Sequence, residues 1–250
     1  MRIRVAHLYP EYLSIYADRG NIAVLTRRAE LRGHSLHIEA VSVGDALRPG
    51  EHDLVYIGGG QDREQALIAP DLAAKGTTIR KIVDDGAALL AVCGGYQLLG
   101  RGYLGRDGVQ MQGVGLFPHE TVAGARRMIG DVLLECELEP GAPTTVAGFE
   151  NHAGRTRLDP GAVPLGRVLA GFGNDGESGY EGCRVDRAVG TYLHGPLLPR
   201  NPWLADLLLS WAISHGSGLP PMTLEALPDR LETTAHDVAA ARARSRGGRY

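Results

Sequence analysis

The sequence predicts an α/β fold, built on a doubly wound, mostly parallel sheet flanked by helices, with β-hairpins added in the second half. Two observations carry this prediction. Over about the first hundred residues, short apolar and β-branched runs alternate with helical patterns, an order typical of parallel sheets with crossover helices. After about residue 105, longer strand-like runs follow one another with glycine-rich turns between them.

The elements of the first half follow from residue periodicity and from turn residues. Asn21 is a candidate N-cap of the first helix, which Gly33 ends, and Gly86 is the expected C-cap of the second. Strands are predicted at residues 2–9, 35–43, 53–57 and 87–92, and helices at 21–32 and 70–85.

The second half is predicted to be rich in strands and to end in helices. The loop 173–179 combines glycines with Asn and Asp and is predicted to be a mobile hairpin. We expect one domain over 1–220 and a helical tail over 221–250, basic at its end. Strands are predicted at 109–137, 144–157, 165–171 and 180–192, and helices at 202–214 and 230–244.

Composition excludes several classes of protein. The chain has 250 residues with a net charge of −3, so bulk electrostatics gives no support for nucleic-acid binding. No apolar run approaches the length of a membrane span, and residues 9–11 interrupt the only candidate signal peptide. The three cysteines, Cys93, Cys136 and Cys183, are odd in number and widely spaced. This argues against a disulfide framework or a zinc site and favours a cytoplasmic protein.

Cys93 is the most informative residue. It follows an apolar run and precedes Gly94 and Gly95, which predicts a buried strand that turns sharply into a helix with the thiol at the bend. Such a turn exposes a nucleophile and aims the first helical N–H groups at its target. A cysteine with apolar neighbours is more often an inert core residue. The glycines around it and the distant His194 favour the nucleophile.

The chemistry predicted for this thiol is acyl transfer. His194, in Gly-Thr-Tyr-Leu-His-Gly, would take or share the thiol proton. The developing oxyanion needs two N–H donors, and Gly94 supplies one because it follows the nucleophile directly. Gly60 or Gly59, at the end of the preceding strand, would supply the second, because glycine lets the backbone approach a substrate closely. The carboxyl ends of parallel strands share one edge of a sheet, which brings these groups together.

Three blocks of sequence resemble class I glutamine amidotransferases of the CobB/CobQ-like branch, which includes cobyric acid synthase and cobyrinate diamide synthase. The blocks are 93–100 (Cys-Gly-Gly-Tyr-Gln-Leu-Leu-Gly), 148–154 (Gly-Phe-Glu-Asn-His-Ala-Gly) and 190–195. The resemblance spans roughly residues 3–215. It implies a flavodoxin-like fold, hydrolysis of L-glutamine to glutamate and ammonia through a cysteine thioester, and no cofactor or metal.

Within this branch the chain is most similar to the glutaminase subunits of lipid II isoglutaminyl synthases, the GatD family. We expect it to lack the N-terminal ATP-binding synthetase domain of cobyrinic acid amidases, and it matches that family at 8–10, Tyr16, 18–22 and 127–130. The resemblance implies a 1:1 heterodimer with a MurT-like subunit of the Mur-ligase family. That partner would use ATP to activate the α-carboxyl of D-glutamate in lipid II, which ammonia converts to D-isoglutamine during peptidoglycan biosynthesis.

The resemblance also implies roles for single residues. Cys93 would be the nucleophile, His194 the general base and acid, and Gly60 with Gly94 the oxyanion hole. Arg127 would bind glutamine, since a guanidinium pairs with an α-carboxylate. There are two alternatives: the adjacent Arg126 binds glutamine instead, or Arg127 is a solvated surface residue. Gln97 would contact the amino-acid end of the substrate or else cap local backbone.

The chain departs from the family pattern at two positions. Ala91 stands where many relatives have glycine, and Pro196 stands where the glutamate of the catalytic triad is usual. The third member of the triad must come from elsewhere, or the enzyme works as a Cys–His dyad. Glu150 is one candidate, with a buried structural residue as the equal alternative, and His152 is expected to be structural.

Three other functions stay open at this stage. The chain could serve another synthetase, such as a cobyrinate-type one; it could be a non-catalytic module of the same fold; or it could be a cysteine peptidase. The triplet 58–60 lacks the spacing of a phosphate-binding loop, and the nine histidines show no metal-ligand spacing. The helix at 230–244 and the 173–179 hairpin are candidate contacts for a partner.

Overall fold

The computed structural model describes residues 1–15, 19–138 and 144–246. In the first half, strands and helices alternate, as predicted. The elements in chain order are β1 (Arg2–Leu8), α1 (Arg19–Glu30), β2 (Ser35–Val41), β3 (Leu54–Ile57), α2 (Asp62–Asp84), β4 (Ala88–Val92) and α3 (Gly94–Leu99). Tyr16 and Asp18, two of the residues that carry the resemblance, lie outside the described residues.

The second half contains eight short or long strands and two helices among the described residues. The elements are β5 (Gly102–Leu104), β6 (Gln110–Gln112), β7 (His119–Cys136), β8 (Thr144–Leu158), β9 (Gly166–Ala170), β10 (Tyr180–Glu181), β11 (Cys183–Val185), β12 (Ala188–Thr191), α4 (Pro202–Ser217) and α5 (Arg230–Arg246). A single 3-10 turn, Leu198–Arg200, precedes α4.

The main sheet has the strand order β11-β12-β4-β3-β1-β2. All neighbours pair in parallel except β11, which is antiparallel to β12. Every residue of β3 and β4 is buried. Continuous apolar runs are expected for central parallel strands, because both faces of such a sheet are covered. The predicted fold class is confirmed.

The hairpins of the second half form a second sheet of their own. Its order is β10-β9-β7-β5-β6, and β8 pairs with β7. The single strand predicted over 180–192 is three strands, because Gly182 and Asp186 adopt left-handed backbone conformations with φ of +64° and +48°. The last of the three, β12, returns to the main sheet beside β4. This return decides where the residues after β12 lie.

Helix α2 begins at Asp62, eight residues before the predicted start at Pro70, so that prediction was wrong. Pro70 lies inside the helix. A proline there leaves the carbonyl of Ala66 without its helical N–H donor. Ala66 and Pro70 are both on the exposed side of the helix, where water replaces the lost hydrogen bond.

Helix α5 packs on the second sheet through small side chains. Ala239, Ala240 and Ala243 form a buried cluster with Leu133, Ala147 and Ala170. The chain before α5 is fixed as well, because Arg28 of α1 pairs with Asp229 at 2.6 Å. The described part of the predicted tail is therefore packed against the rest of the protein.

The 173–179 segment connects β9 and β10, which pair antiparallel as a hairpin. Asn174 within it is buried, and its side-chain amide bonds to both backbone groups of Gly182, at 2.9 and 3.0 Å. Asp175 accepts the N–H groups of Glu177 and Ser178. One end of the hairpin is thus part of the packed interior.

Candidate active site

Strand pairing brings Cys93 and the segment with His194 to the same edge of the main sheet. β4 and β12 are parallel neighbours, with Val92 opposite Thr191. Cys93 follows β4 directly, and its N–H donates to the Thr191 carbonyl over 2.7 Å. His194 lies three residues beyond Thr191. The two predicted catalytic residues therefore follow the carboxyl ends of adjacent strands.

Cys93 occupies the strained turn that the sequence predicts. Its backbone has φ +50° and ψ −104°, a conformation that non-glycine residues rarely adopt. The turn is held on both sides, because Gln97 N–H donates to the Cys93 carbonyl at 2.9 Å and Gly95 N–H donates to the Gly58 carbonyl at 3.1 Å. The side chain is 5% exposed and lines a cavity of about 530 Å³. A thiol that reaches a cavity is placed differently from an inert core cysteine.

Gly60 and Gly94 meet beside Cys93. A carbon added to Gly94 would lie 3.0 Å from the Gly60 amide nitrogen, and one added to Gly60 would collide with the side chain of Leu13. Gln65 Nε2 donates to the Gly60 carbonyl at 3.1 Å, which fixes the direction of that carbonyl. The N–H of Gly94 begins α3 and has no acceptor within the helix. Two backbone amides from different loops therefore lie close together beside Cys93, and an oxyanion requires two such donors.

His194 is fully buried, and its backbone is clamped to β8. Its N–H donates to the Phe149 carbonyl at 2.7 Å, and the Phe149 N–H donates back at 3.2 Å. Gly195, with φ +112°, turns the chain away at once, and Arg200 holds the Gly195 carbonyl at 2.7 Å. The histidine is thus fixed between the two sheets.

Pro196, at the position of the usual triad glutamate, packs against α1. A carbon added to Gly20 of that helix would be 2.6 Å from Pro196 Cγ. Glu150, the other candidate, is buried and accepts the N–H groups of Phe172 and Gly173 at 2.7 and 3.0 Å. These contacts fit the alternative of a buried structural carboxylate.

Arg127 lies in an irregular part of β7. Pairing with β8 is regular up to Ala123 and resumes at Met128, and such bulges redirect side chains. The Arg127 guanidinium donates to the side-chain and backbone oxygens of Asn151 at 2.8 and 2.7 Å, and it lines the Cys93 cavity. Arg126 lines a neighbouring groove. The geometry therefore favours Arg127 over Arg126 as the arginine of the cavity.

Gln97 lines the cavity from α3 and is 3% exposed. Its Nε2 donates to the Tyr192 hydroxyl at 3.2 Å, so this contact is with a side chain and does not support the local backbone cap. The Tyr192 ring stacks on His152, with centroids 3.5 Å apart. Burial keeps the pKa of His152 below its usual value, and its Nδ1 bonds the Gly154 carbonyl at 2.9 Å. His152 therefore packs as a neutral ring in the cavity wall.

Glu181 is a buried carboxyl behind β12 that sequence reasoning missed. It accepts the N–H of Tyr192 at 2.6 Å and the hydroxyl of Thr191 at 3.0 Å. Burial raises its pKa to about 8, to which the nearby Glu150 also contributes. Its contacts hold the chain segment that leads from β12 to His194.

Several cavity residues were also missed. Asn151 lies within the 148–154 block that carries the resemblance, and Asp62 follows the glycine triplet after one residue, so position could have indicated both. Ala153 lies in the same block as Asn151, and the others lack any distinguishing motif. The described lining residues not named in the sequence analysis are Ile15, Gln61, Asp62, Arg63, Gln65, Tyr103, Arg106, Asn151 and Ala153.

The described residues contain no group of three or more His, Cys, Asp or Glu side chains that could hold a metal ion. All three cysteines are buried and form no disulfide. In the described ranges, no helix has the length and apolar character needed to cross a bilayer.

Comparisons with known proteins identify the family of the chain. Residues 4–202 match the CobB/CobQ-like glutamine amidotransferase domain. The GatD subunit of lipid II isoglutaminyl synthase (glutamine-hydrolyzing) from Staphylococcus aureus is 37% identical over 218 residues, which are 87% of each chain. Its namesake from Streptococcus pneumoniae is 38% identical over 87% of this chain and 83% of that protein. Cobyric acid synthase from Synechococcus is 31% identical over 68% of this chain and 33% of its own length.

Solved structures support the fold. The structure of PurLQS from Thermotoga maritima has a TM-score of 0.55 at 15% identity and covers 78% of this chain and 88% of its own. A crystal structure of a glutamine amidotransferase has a TM-score of 0.55 at 18% identity and covers 83% of this chain and 98% of its own. The sequence matches show the family of the chain, and the strained cysteine turn and the paired glycines fit it. The chain belongs to the CobB/CobQ-like glutamine amidotransferases and, within them, to the family of glutamine-hydrolysing GatD subunits.

Proposed function

We propose that this protein is the glutamine-hydrolysing subunit of a two-subunit synthase and that Cys93 is its nucleophile. The observation that carries the proposal is the strained turn at Cys93, which opens into a cavity beside the Gly60 and Gly94 amides. Glutamine amidotransferases hydrolyse L-glutamine to glutamate and ammonia, and this cavity offers both a thiol and oxyanion donors for that reaction.

The proposed reaction has two halves. The Cys93 thiolate attacks the side-chain amide carbon of glutamine, and the Gly60 and Gly94 N–H groups donate hydrogen bonds to the developing oxyanion. The C–N bond breaks, ammonia leaves with a proton from His194, and a γ-glutamyl thioester remains. Water, deprotonated by His194, then attacks the thioester, and glutamate and the free thiol are released.

Substrate binding is assigned to Arg127 and Gln97 of the cavity lining. The Arg127 guanidinium, held by Asn151, would receive the α-carboxylate of glutamine, a pairing that suits its planar fork. Gln97 supplies amide hydrogen-bonding groups nearby. Arg127 is exposed, as a surface arginine would be, but its two bonds to one asparagine give the guanidinium a fixed direction at the cavity.

The ammonia would pass to a MurT-like subunit of the Mur-ligase family. This partner would use ATP to activate the α-carboxyl of D-glutamate in lipid II, and amidation would give D-isoglutamine for peptidoglycan. The identities of 37% and 38% to two GatD subunits over 87% of this chain support this acceptor over a cobyrinate-type one. The three free thiols fit the reducing cytoplasm, where the reaction would occur.

Co-expression with a candidate Mur-ligase-family subunit tests the proposal. We expect a 1:1 complex by size-exclusion chromatography with light scattering, and ATP- and glutamine-dependent amidation of lipid II by mass spectrometry. Cys93→Ser should form the same complex and should amidate lipid II only when ammonium salts replace glutamine. Absence of a complex, or amidation by Cys93→Ser with glutamine alone, would contradict it.

A further inference from the structure

The charges of the Cys93 cavity are unequal. Three guanidinium groups line it, from Arg63, Arg106 and Arg127, and among the described lining residues Asp62 supplies the sole carboxylate. Glutamine carries one charge of each sign, on its α-carboxylate and α-ammonium groups, while its reacting amide is neutral. A site that selects the free amino acid therefore needs one acceptor for the ammonium group.

We propose that the Asp62 carboxylate binds the α-ammonium group of glutamine, an inference that rests on the proposed glutaminase function. Asp62 is the first residue of α2. It lies two positions after Gly60, whose amide faces the Cys93 turn. One short stretch of chain would thus contribute an oxyanion donor and the ammonium acceptor.

Tyr103 fixes the direction of this carboxylate. Its hydroxyl donates to Asp62 Oδ1 at 3.1 Å. Burial and the Asp62 charge both raise the pKa of Tyr103, so the phenol keeps its proton and remains a donor. Asp62, Tyr103 and Cys93 all line the same cavity. The bond occupies Oδ1 of the carboxylate, and Asp62 itself is exposed, so Oδ2 is available to a ligand.

The Asp62 charge is not neutralised by the protein in the part that the structure describes. No Lys, Arg or His side chain there lies within 4.0 Å of its carboxylate. By contrast, Asp71 on the same helix is paired with Lys75 four residues later. An ionised, cavity-lining carboxylate without a counterion suits a cationic ligand group.

The test compares two substrates, L-glutamine and glutaramate, which is glutamine without its α-amino group. Ammonia release is measured for the full-length chain, alone and with its co-expressed partner. For Asp62→Asn we expect KM for glutamine to rise 10- to 100-fold, as for loss of a charge-assisted hydrogen bond, with kcat within threefold. The preference for glutamine over glutaramate in kcat/KM should fall by the same factor, because glutaramate never used Asp62.

Asp84→Asn is the matched control, since Asp84 is an exposed residue at the other end of α2. This variant should change neither KM for glutamine nor the preference for glutamine over glutaramate. Tyr103→Phe should reduce the preference for glutamine over glutaramate at least threefold. This variant replaces Asp62→Asn in the test if circular dichroism shows that Asp62→Asn is not folded. An unchanged preference in a folded variant overturns the inference while leaving the glutaminase function intact. If the wild-type chain releases no ammonia from glutamine under either condition, the proposed function itself fails.

Discussion

The backbone amide of Cys93 donates a hydrogen bond to the carbonyl oxygen of Thr191 over 2.7 Å. Thr191 also accepts the N–H of Leu193 on its hydroxyl at 3.1 Å, and that hydroxyl contacts Glu181. One residue at the end of β12 thus supports both the nucleophile turn and the segment that carries His194. The relative position of the two catalytic candidates is set by the strand pairing of the main sheet.

Glu181 predicts a pH-dependent stability. Its pKa is raised from 4.5 to about 8 in the folded protein, so between these values the folded state holds a proton that the unfolded state has lost. Its contribution to the free energy of unfolding is therefore complete below pH 4.5 and is lost as pH rises to 8, at up to about 1.4 kcal/mol per pH unit. Thermal melts should show this slope in wild type and its absence in Glu181→Gln. Parallel curves for the two proteins from pH 5 to 8 would refute the assignment.

The two glycines of the proposed oxyanion hole predict large catalytic losses. Gly60→Ala introduces a carbon that collides with the Leu13 side chain, and Gly94→Ala one that lies 3.0 Å from the Gln65 side chain and the Gly60 amide nitrogen. Because either carbon crowds the proposed oxyanion donors, kcat for glutamine hydrolysis should fall about 10²- to 10³-fold. Gly130→Ala is the control, because nothing lies within 4 Å of a carbon added there. Steady-state ammonia release measures all three. Equal kcat values for Gly60→Ala and Gly130→Ala would remove Gly60 from the site.

Arg127 predicts an effect on binding rather than on chemistry. Arg127→Ala should raise KM for glutamine about 10- to 100-fold with little change in kcat, because the α-carboxylate is bound alike in ground and transition states. Asn151→Ala should show a smaller rise in KM, since it frees the guanidinium that it now holds. Arg126→Ala is the control and should stay within threefold of wild type. A larger effect at Arg126 than at Arg127 would reverse the assignment.

The packing of α5 predicts that the C-terminal helix contributes to stability. Ala243 is fully buried against the second sheet, so Ala243→Leu should overpack the contact and lower the free energy of unfolding by about 1–3 kcal/mol. Ala241→Leu, an exposed position on the same helix, should change it by less than about 0.5 kcal/mol. Urea denaturation of the two variants decides this. An unaffected Ala243→Leu would indicate that the helix is a dispensable tail.

The first half of the fold could be predicted because its elements are local. Apolar runs such as 88–92 and the glycines at 58–60 mark strands and turns without reference to the rest of the chain. The return of β12 to the main sheet could not, because β12 leaves its neighbours in sequence and pairs with β4, about a hundred residues earlier. The predicted start of α2 was wrong because proline is usually found in the first turn of a helix, whereas Pro70 lies in the interior of this one.

The residues of the candidate site also fall into two groups, those that local sequence patterns predict and those that they do not. Cys93, His194 and the glycines stand in local patterns that the sequence displays. Asp62 and Glu181 do not, since their surroundings arise only when Tyr103 and Thr191 are folded against them. A carboxylate in a sequence is usually a solvated charge, and its environment is a tertiary property.

The covalent intermediate tests the central claim most directly. Wild-type protein mixed with L-glutamine, quenched in acid and digested should carry a γ-glutamyl group on the peptide that contains Cys93, as measured by mass spectrometry. Cys93→Ser should carry no such thioester and should lose glutamine-dependent ammonia release while keeping its fold by circular dichroism. A glutamyl group on Cys136 or Cys183, or undiminished ammonia release from Cys93→Ser, would contradict the account.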